Sequence, residues 1–149
     1  MQQQQFTFAM DPVGALEALI CHLLFGSGGA YPLPPKEREL LAVLRYHKGV
    51  ANARKLDALA STLQVSPREV KSLAKELTER YGVPIGARRQ PPYGYFLCVT
   101  PEDYAAARRP YLNEVLSLLR RLKALNPDQR LLELYGQLEL AIQQEKEIA

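Results

Sequence analysis

Between Leu56 and Leu77 the chain reads LDALASTLQVSPREVKSLAKEL. Two segments with apolar residues at helical spacing flank a three-residue break, Gln64-Val65-Ser66. Helices joined by so short a turn must pack against each other. This stretch therefore constrains the fold more than any other. The first helix is expected over about 53–63, with Asn52 as its candidate cap and Leu56, Leu59, Ala60 and Leu63 facing inward. The second starts on Ser66-Pro67-Arg68-Glu69. Ser66 caps, Pro67 suits the first helical position, and Glu69 completes a capping box. It runs to about Tyr81, where Gly82 and Pro84 end it, and it directs Val70, Leu73, Leu77 and Tyr81 inward. Each fully buried leucine contributes roughly 1.5–3 kcal/mol. That stripe turns Arg68, Lys71, Ser72 and Lys75 outward.

A helix precedes this pair. PKERELLAVLRYHKG carries Leu40, Leu41, Val43 and Leu44 on one face, places His47 in its last turn and closes at Gly49. Val50-Ala51 reads as a short extended step. After the pair, VPIGARRQPPYGYFLCV changes period. Its β-prone ends, 84–87 and 95–99, and its turn-rich middle predict a β-hairpin with Arg88, Arg89 and Tyr93 at a basic tip. Thr100-Pro101-Glu102-Asp103 then opens a further helix, which Pro110 is expected to kink or divide. Leu112, Val115, Leu116, Leu119 and Leu122 continue it to about Leu125. Asn126-Pro127-Asp128 begins a last helix, with Leu131, Leu134, Tyr135, Leu138 and Ile142 on one side.

The order helix, short strand, helix, tight turn, helix, hairpin over residues 35–100 resembles the winged helix-turn-helix domain. The segment PIGARRQPPYGYFLCVT is loosely similar to the wing of small regulators and replication-associated proteins of bacteria and their phages. Ala60 is the small residue at the helix crossing and Val65 the apolar residue of the turn. One departure is Gln64, where glycine is frequent. A positive φ there costs a side-chain-bearing residue near 1 kcal/mol. The fold class expected is mainly α: a three-helix bundle with a β-hairpin wing, plus an N-terminal helical arm and C-terminal helices.

The resemblance implies non-catalytic binding of double-stranded DNA, as a transcriptional regulator or replication accessory factor. The expected DNA-binding residues are Ser66, Arg68, Lys71, Ser72, Lys75, Arg88, Arg89 and Tyr93. Arg68 can pair with guanine O6 and N7, and Ser72 can approach a base or a phosphate. Lys71 and Lys75 suit phosphates, which position a protein without reading sequence. Arg88 and Arg89 fit a neighbouring minor groove or backbone, and Tyr93 a phosphate. The charge distribution agrees. Net charge is only +3, but residues 36–95 hold 12 Lys and Arg against 6 Asp and Glu, and the remainder 7 against 10. The rival expectation is a protein–protein module on the same scaffold, because Glu69, Glu76 and Glu79 dilute the basic helix.

Other chemistry finds no pattern. Cys21 and Cys98 lie in apolar runs and read as buried thiols of a reducing compartment. His22 sits in an apolar stripe and is expected to pack. No metal site, cofactor site or phosphate loop is expected, since GSGG lacks a following lysine and does not open a helix. No enzymatic activity is expected. The longest apolar stretch, about 13–25, is too short to span a bilayer, so the protein is expected to be cytoplasmic and free of membrane.

The chain divides by composition into three parts. Residues 1–34 comprise a Gln-rich tail, a helix opened by Asp11-Pro12 with Leu16, Leu19, Ile20, Leu23 and Leu24 in one stripe, and the linker GSGGAYPLPP. Residues 35–100 are the DNA-binding domain, and 101–149 a C-terminal helical extension for packing or dimerisation. The terminal helices carry more apolar residues than that domain needs, so a homodimer is expected. The tail QQQQFTF faintly resembles peptides that dock on the bacterial sliding clamp. A leader, or phenylalanines packed on the domain, is the expected reading, and a sliding clamp contact is not.

Overall fold

The computed structural model describes residues 12–26, 32–126 and 128–148. Six helices and one antiparallel pair of strands follow in the order α1 (Pro12–Phe25), α2 (Pro35–Leu44), α3 (Leu56–Leu63), α4 (Pro67–Tyr81), β1 (Ile85–Arg88), β2 (Gly94–Leu97), α5 (Pro101–Leu125) and α6 (Gln129–Ile148). The protein is thus mainly helical with a small two-stranded sheet, as expected at that level. The Gln-rich tail, Asp11 as a cap and residues 27–31 of the GSGGAYPLPP linker lie outside the described residues.

Local signals account for α4. The Ser66 hydroxyl accepts from the Glu69 N–H at 3.2 Å, and the Ser66 N–H donates to Glu69 Oε2 at 2.8 Å. That backbone donor holds the Glu69 carboxyl below its ordinary range. Gly82, at φ 70°, closes the helix by donating to the Leu77 carbonyl. Val70, Ala74 and Leu77 are buried and Leu73 half-buried. Leu73 yields the deepest position to Ala74, the residue small enough to let a neighbouring helix approach.

The core gathers α1 to α4. Leu40, Leu41 and Leu44 of α2 meet Leu59 and Leu63 of α3 and Val70 and Leu77 of α4. Leu16, Ile20, Leu23 and Leu24 of α1 join the same cluster. Lys48 and Arg45 both pair with Glu17 across the α1–α2 contact, the latter at 3.6 Å. The hydrogen bond from Lys48 holds the Glu17 carboxyl below its ordinary range, assisted by the charge of Arg45. Cys21 and His22 are exposed, contrary to expectation, because they lie on the side of α1 opposite its stripe. Cys98 is buried, and desolvation first, then the nearby Asp103 charge, pushes its thiol up to about 12.

The turn between α3 and α4 takes the conformation expected. Gln64 has φ 55°, ψ 44°, and Val65 N–H donates to the Ala60 carbonyl at 3.1 Å. Gln64→Gly is expected to relieve this left-handed conformation and raise stability by up to about 1 kcal/mol, a rise of about 2–4 °C in Tm. A thermal melt showing a loss instead would mean that the Gln64 side chain contributes more than its backbone costs.

Several local boundaries differ from expectation, for one reason. Residues 47–54 hydrogen-bond to β2. Gly49 N–H donates to Leu97 O at 2.8 Å, Leu97 N–H to His47 O at 2.9 Å, and Arg54 and Tyr95 exchange both backbone bonds at 2.8 and 2.9 Å. These pairings end α2 at Leu44, so His47 lies beyond its last turn, where Nδ1 donates to the Asn52 carbonyl at 2.9 Å. They also delay α3 to Leu56. Asn52 does not cap it. Its amide donates back to Lys48 O at 2.7 Å, and Val50–Asn52 form a single 3₁₀ turn rather than an extended step.

In the hairpin, Ile85 faces Leu97, and Arg88 faces Gly94. Two glycines permit this packing. A Cβ on Gly86 would stand 2.3 Å from the buried Phe96 ring, and one on Gly94 (φ 121°) 2.0 Å from Arg54 O. Thr100 and Asp103 form the capping box of α5. Pro110 neither divides nor ends that helix. It is exposed, and its missing N–H leaves the Ala106 carbonyl without its helical donor. The ion pairs Arg108–Glu145, Arg120–Glu139 and Lys123–Glu139 bind α5 and α6 as an antiparallel pair. Among the described residues no helix is long and apolar enough to cross a membrane.

Candidate nucleic-acid interface

The outward face of α4 is set by the burial of Val70 and Leu77. Positions 68, 71, 72 and 75 fall on the opposite side, and all four side chains are exposed. Glu79 continues the same face one turn further, so the cationic part of this face ends at Lys75. No ion pair to Arg68, Lys71 or Lys75 exists among the described residues.

The hairpin stands beside that face. An open concavity of about 650 Å³ lies between them, lined by Lys71 of α4, Arg88, Arg89 and Tyr93 of the hairpin, and Lys55, Leu56 and Asp57 at the start of α3. Tyr95 and Tyr111 complete the wall. Four cations thus converge from three segments far apart in sequence. The start of α3 adds donors. Lys55 occupies the cap position without a side-chain cap, which leaves the first-turn N–H groups without a side-chain acceptor. These donors and the helix dipole favour an anion there. Asp57 opposes it from the same turn. Burial, followed by the neighbouring Tyr111, holds the Tyr95 phenol above its ordinary value, so its O–H remains a donor at neutral pH.

The expected residues divide between this groove and its surroundings. Lys71, Arg88, Arg89 and Tyr93 line it. Arg88 is half-buried within β1 rather than at the tip, while Arg89 and Tyr93 are exposed in the turn. Arg68 and Lys75 flank it on the exposed face. Ser66 is occupied by its capping bonds. Ser72 lines a separate depression of about 270 Å³ with Lys36, Glu37, Val65, Glu69, Leu73 and Glu76, and its hydroxyl donates to Arg68 O at 3.3 Å. That depression carries three carboxylates and disfavours a phosphate.

Lys55, Asp57, Tyr95 and Tyr111 are the polar groove residues not anticipated from sequence. With α3 expected from about 53, Lys55 falls inside the first turn of the helix rather than at its cap. The signal that locates it is that the apolar stripe begins only at Leu56. Nothing local points to Tyr111, which reaches the groove because α5 lies against β1. No protein-family model, curated protein or solved structure matches this chain.

Proposed function

We propose that this protein is a winged-helix protein that binds double-stranded DNA without catalysis, as a transcriptional regulator or replication accessory factor. The element order supports it: α2, a segment paired to β2, α3, a tight turn, α4 and the hairpin. In this reading α4 enters the major groove by its N-terminal half, with Arg68 at a base edge and Lys75 on a phosphate. Lys55, Lys71, Arg88 and Arg89 seat the adjacent backbone, and Tyr93 donates to it. The observation that carries the reading is the convergence of these four cations on one open concavity beside an uncapped helix start.

Fluorescence anisotropy with random-sequence duplex tests it. Micromolar binding is expected, and five or six phosphate contacts give a log–log salt slope of roughly −4.5 to −5.4. Triple alanine substitution at Arg68, Lys71 and Lys75 is expected to abolish binding at moderate salt and leave Tm nearly unchanged, since all three are exposed. Absent or salt-independent binding would turn the proposal toward a protein–protein module. The acidic depression around Ser72 favours that second reading, because it suits a basic or polar partner surface.

A further inference from the structure

The α5–α6 pair buries only one of its two apolar faces. Leu116 and Leu119 are buried between the helices, with Leu112, Leu132, Tyr135 and Ile142 partly covered. A second stripe faces away from that contact. On α5 it runs Val115, Leu118, Leu122, Leu125, at alternating steps of three and four residues. On α6 it runs Leu131, Leu134, Leu138, Ala141, at the same alternation. Every one of these residues is exposed, Leu118 by 49% and Leu125 by 81%. Such heptad spacing seats knobs from another helix, and a hairpin carrying it on both helices presents half of a four-helix bundle.

The charges select what covers it. On the inner flank, Arg108, Arg120 and Lys123 are satisfied by Glu145 and Glu139 of the same chain. On the outer flank of α5 stand Glu114 and Arg121, one heptad apart, both exposed and neither in an ion pair among the described residues. Two copies of α5 packed antiparallel about a two-fold axis near Leu118 bring Glu114 of each copy to Arg121 of the other. A parallel arrangement directs these outer-flank residues toward the flank already covered by α6. An α6 helix at the same level offers only Gln137 and Gln144.

We propose that this face binds a second copy of the chain, with α5 antiparallel to its symmetry mate and two reciprocal Glu114–Arg121 pairs fixing the register. The dimer stands on these observations alone and does not depend on DNA binding.

Sedimentation velocity and light scattering of the full chain without DNA test it. A dimer is expected at micromolar concentration. Glu114→Arg and Arg121→Glu each place two like-charge contacts in the interface, so each is expected to weaken the dimer about tenfold or more. The double variant E114R/R121E restores the pairs and is expected to recover the dimer. Leu118→Asp is expected to give a monomer of unchanged helicity. If that variant fails to fold, the exposed charge variants still decide. A monomeric wild type, a dimer indifferent to the single reversals, or a double variant no better than either single one overturns the proposal.

Discussion

Asp103→Ala is expected to lower stability by about 3 kcal/mol, because it removes an anion that satisfies three backbone donors. Asp103 is 6% exposed and is the one buried charged side chain among the described residues. Oδ1 accepts from Val50 N–H at 2.9 Å, and Oδ2 from Val99 N–H at 3.1 Å and Thr100 N–H at 3.0 Å. The carboxylate thus joins the turn after α2 to the exit of β2 and the start of α5. Alanine leaves three donors without their acceptor, and no other side chain bonds them. In a chain of 149 residues the loss corresponds to about 6–12 °C in Tm. Urea denaturation measures it directly. A loss under about 1 kcal/mol would show that water replaces the carboxylate and that the clamp is dispensable.

The same residue sets an acid limb. Burial raises the Asp103 carboxyl, but the hydrogen bonds from Thr100, Val50 and Val99 outweigh it, and the folded value falls below the ordinary one. A depressed carboxyl stabilises fully above its unfolded value. That contribution fades as pH drops through the folded value. Stability is therefore expected to be flat near neutrality and to fall below about pH 4. Asp103→Asn removes the part of this slope that belongs to the site. Glu17, depressed mainly by its hydrogen bond from Lys48, adds to the wild-type slope in the same sense. Denaturant melts of the wild type and Asp103→Asn between pH 3 and pH 7 separate the Asp103 contribution from that of the other depressed carboxyls, Glu17, Glu69 and Glu139.

What the sequence disclosed depended on how local each signal was. Ser66, Pro67 and Glu69 act within one turn, so the start of α4 and its outward cations were legible, as was the cap of α5 on Thr100. The hairpin was legible from composition, and its strands shifted by only a residue or two. The start of α3 was not. Arg54 lies in extended backbone because Tyr95, far away in sequence, exchanges two hydrogen bonds with it. That pairing moves Lys55 from the first turn of the expected helix to the cap position, beside the groove. Pro110 reads locally as a breaker, yet it does not divide α5, because a proline in a helix held at both ends costs one hydrogen bond. Cys21 and His22 misled for a different reason. The run LICHLLF is apolar in composition, but the phase of Leu16, Ile20 and Leu23 turns both residues outward.

Replacing Lys55, Lys71, Arg88 and Arg89 together by alanine is expected to reduce duplex affinity about a hundredfold or more at moderate salt. It is also expected to flatten the salt slope by about 3.6, the sum of four phosphate contacts. The loss is expected to fall equally on all DNA sequences, because these side chains line the groove between α4 and the hairpin. Arg68→Ala should differ in kind, relaxing sequence preference with little change in slope. Asp57 provides a test of opposite sign. Its carboxylate stands in the same concavity, at the uncapped start of α3. Asp57→Asn removes a charge that repels phosphate, so affinity is expected to rise several-fold. The loss of a favourable helix-dipole contact lowers stability by about 0.3–1 kcal/mol. Non-specific attraction to a basic protein has no such dependence on one groove. Weakened binding by Asp57→Asn would place the phosphate elsewhere, and a quadruple variant that keeps the full salt slope would empty the groove of its role.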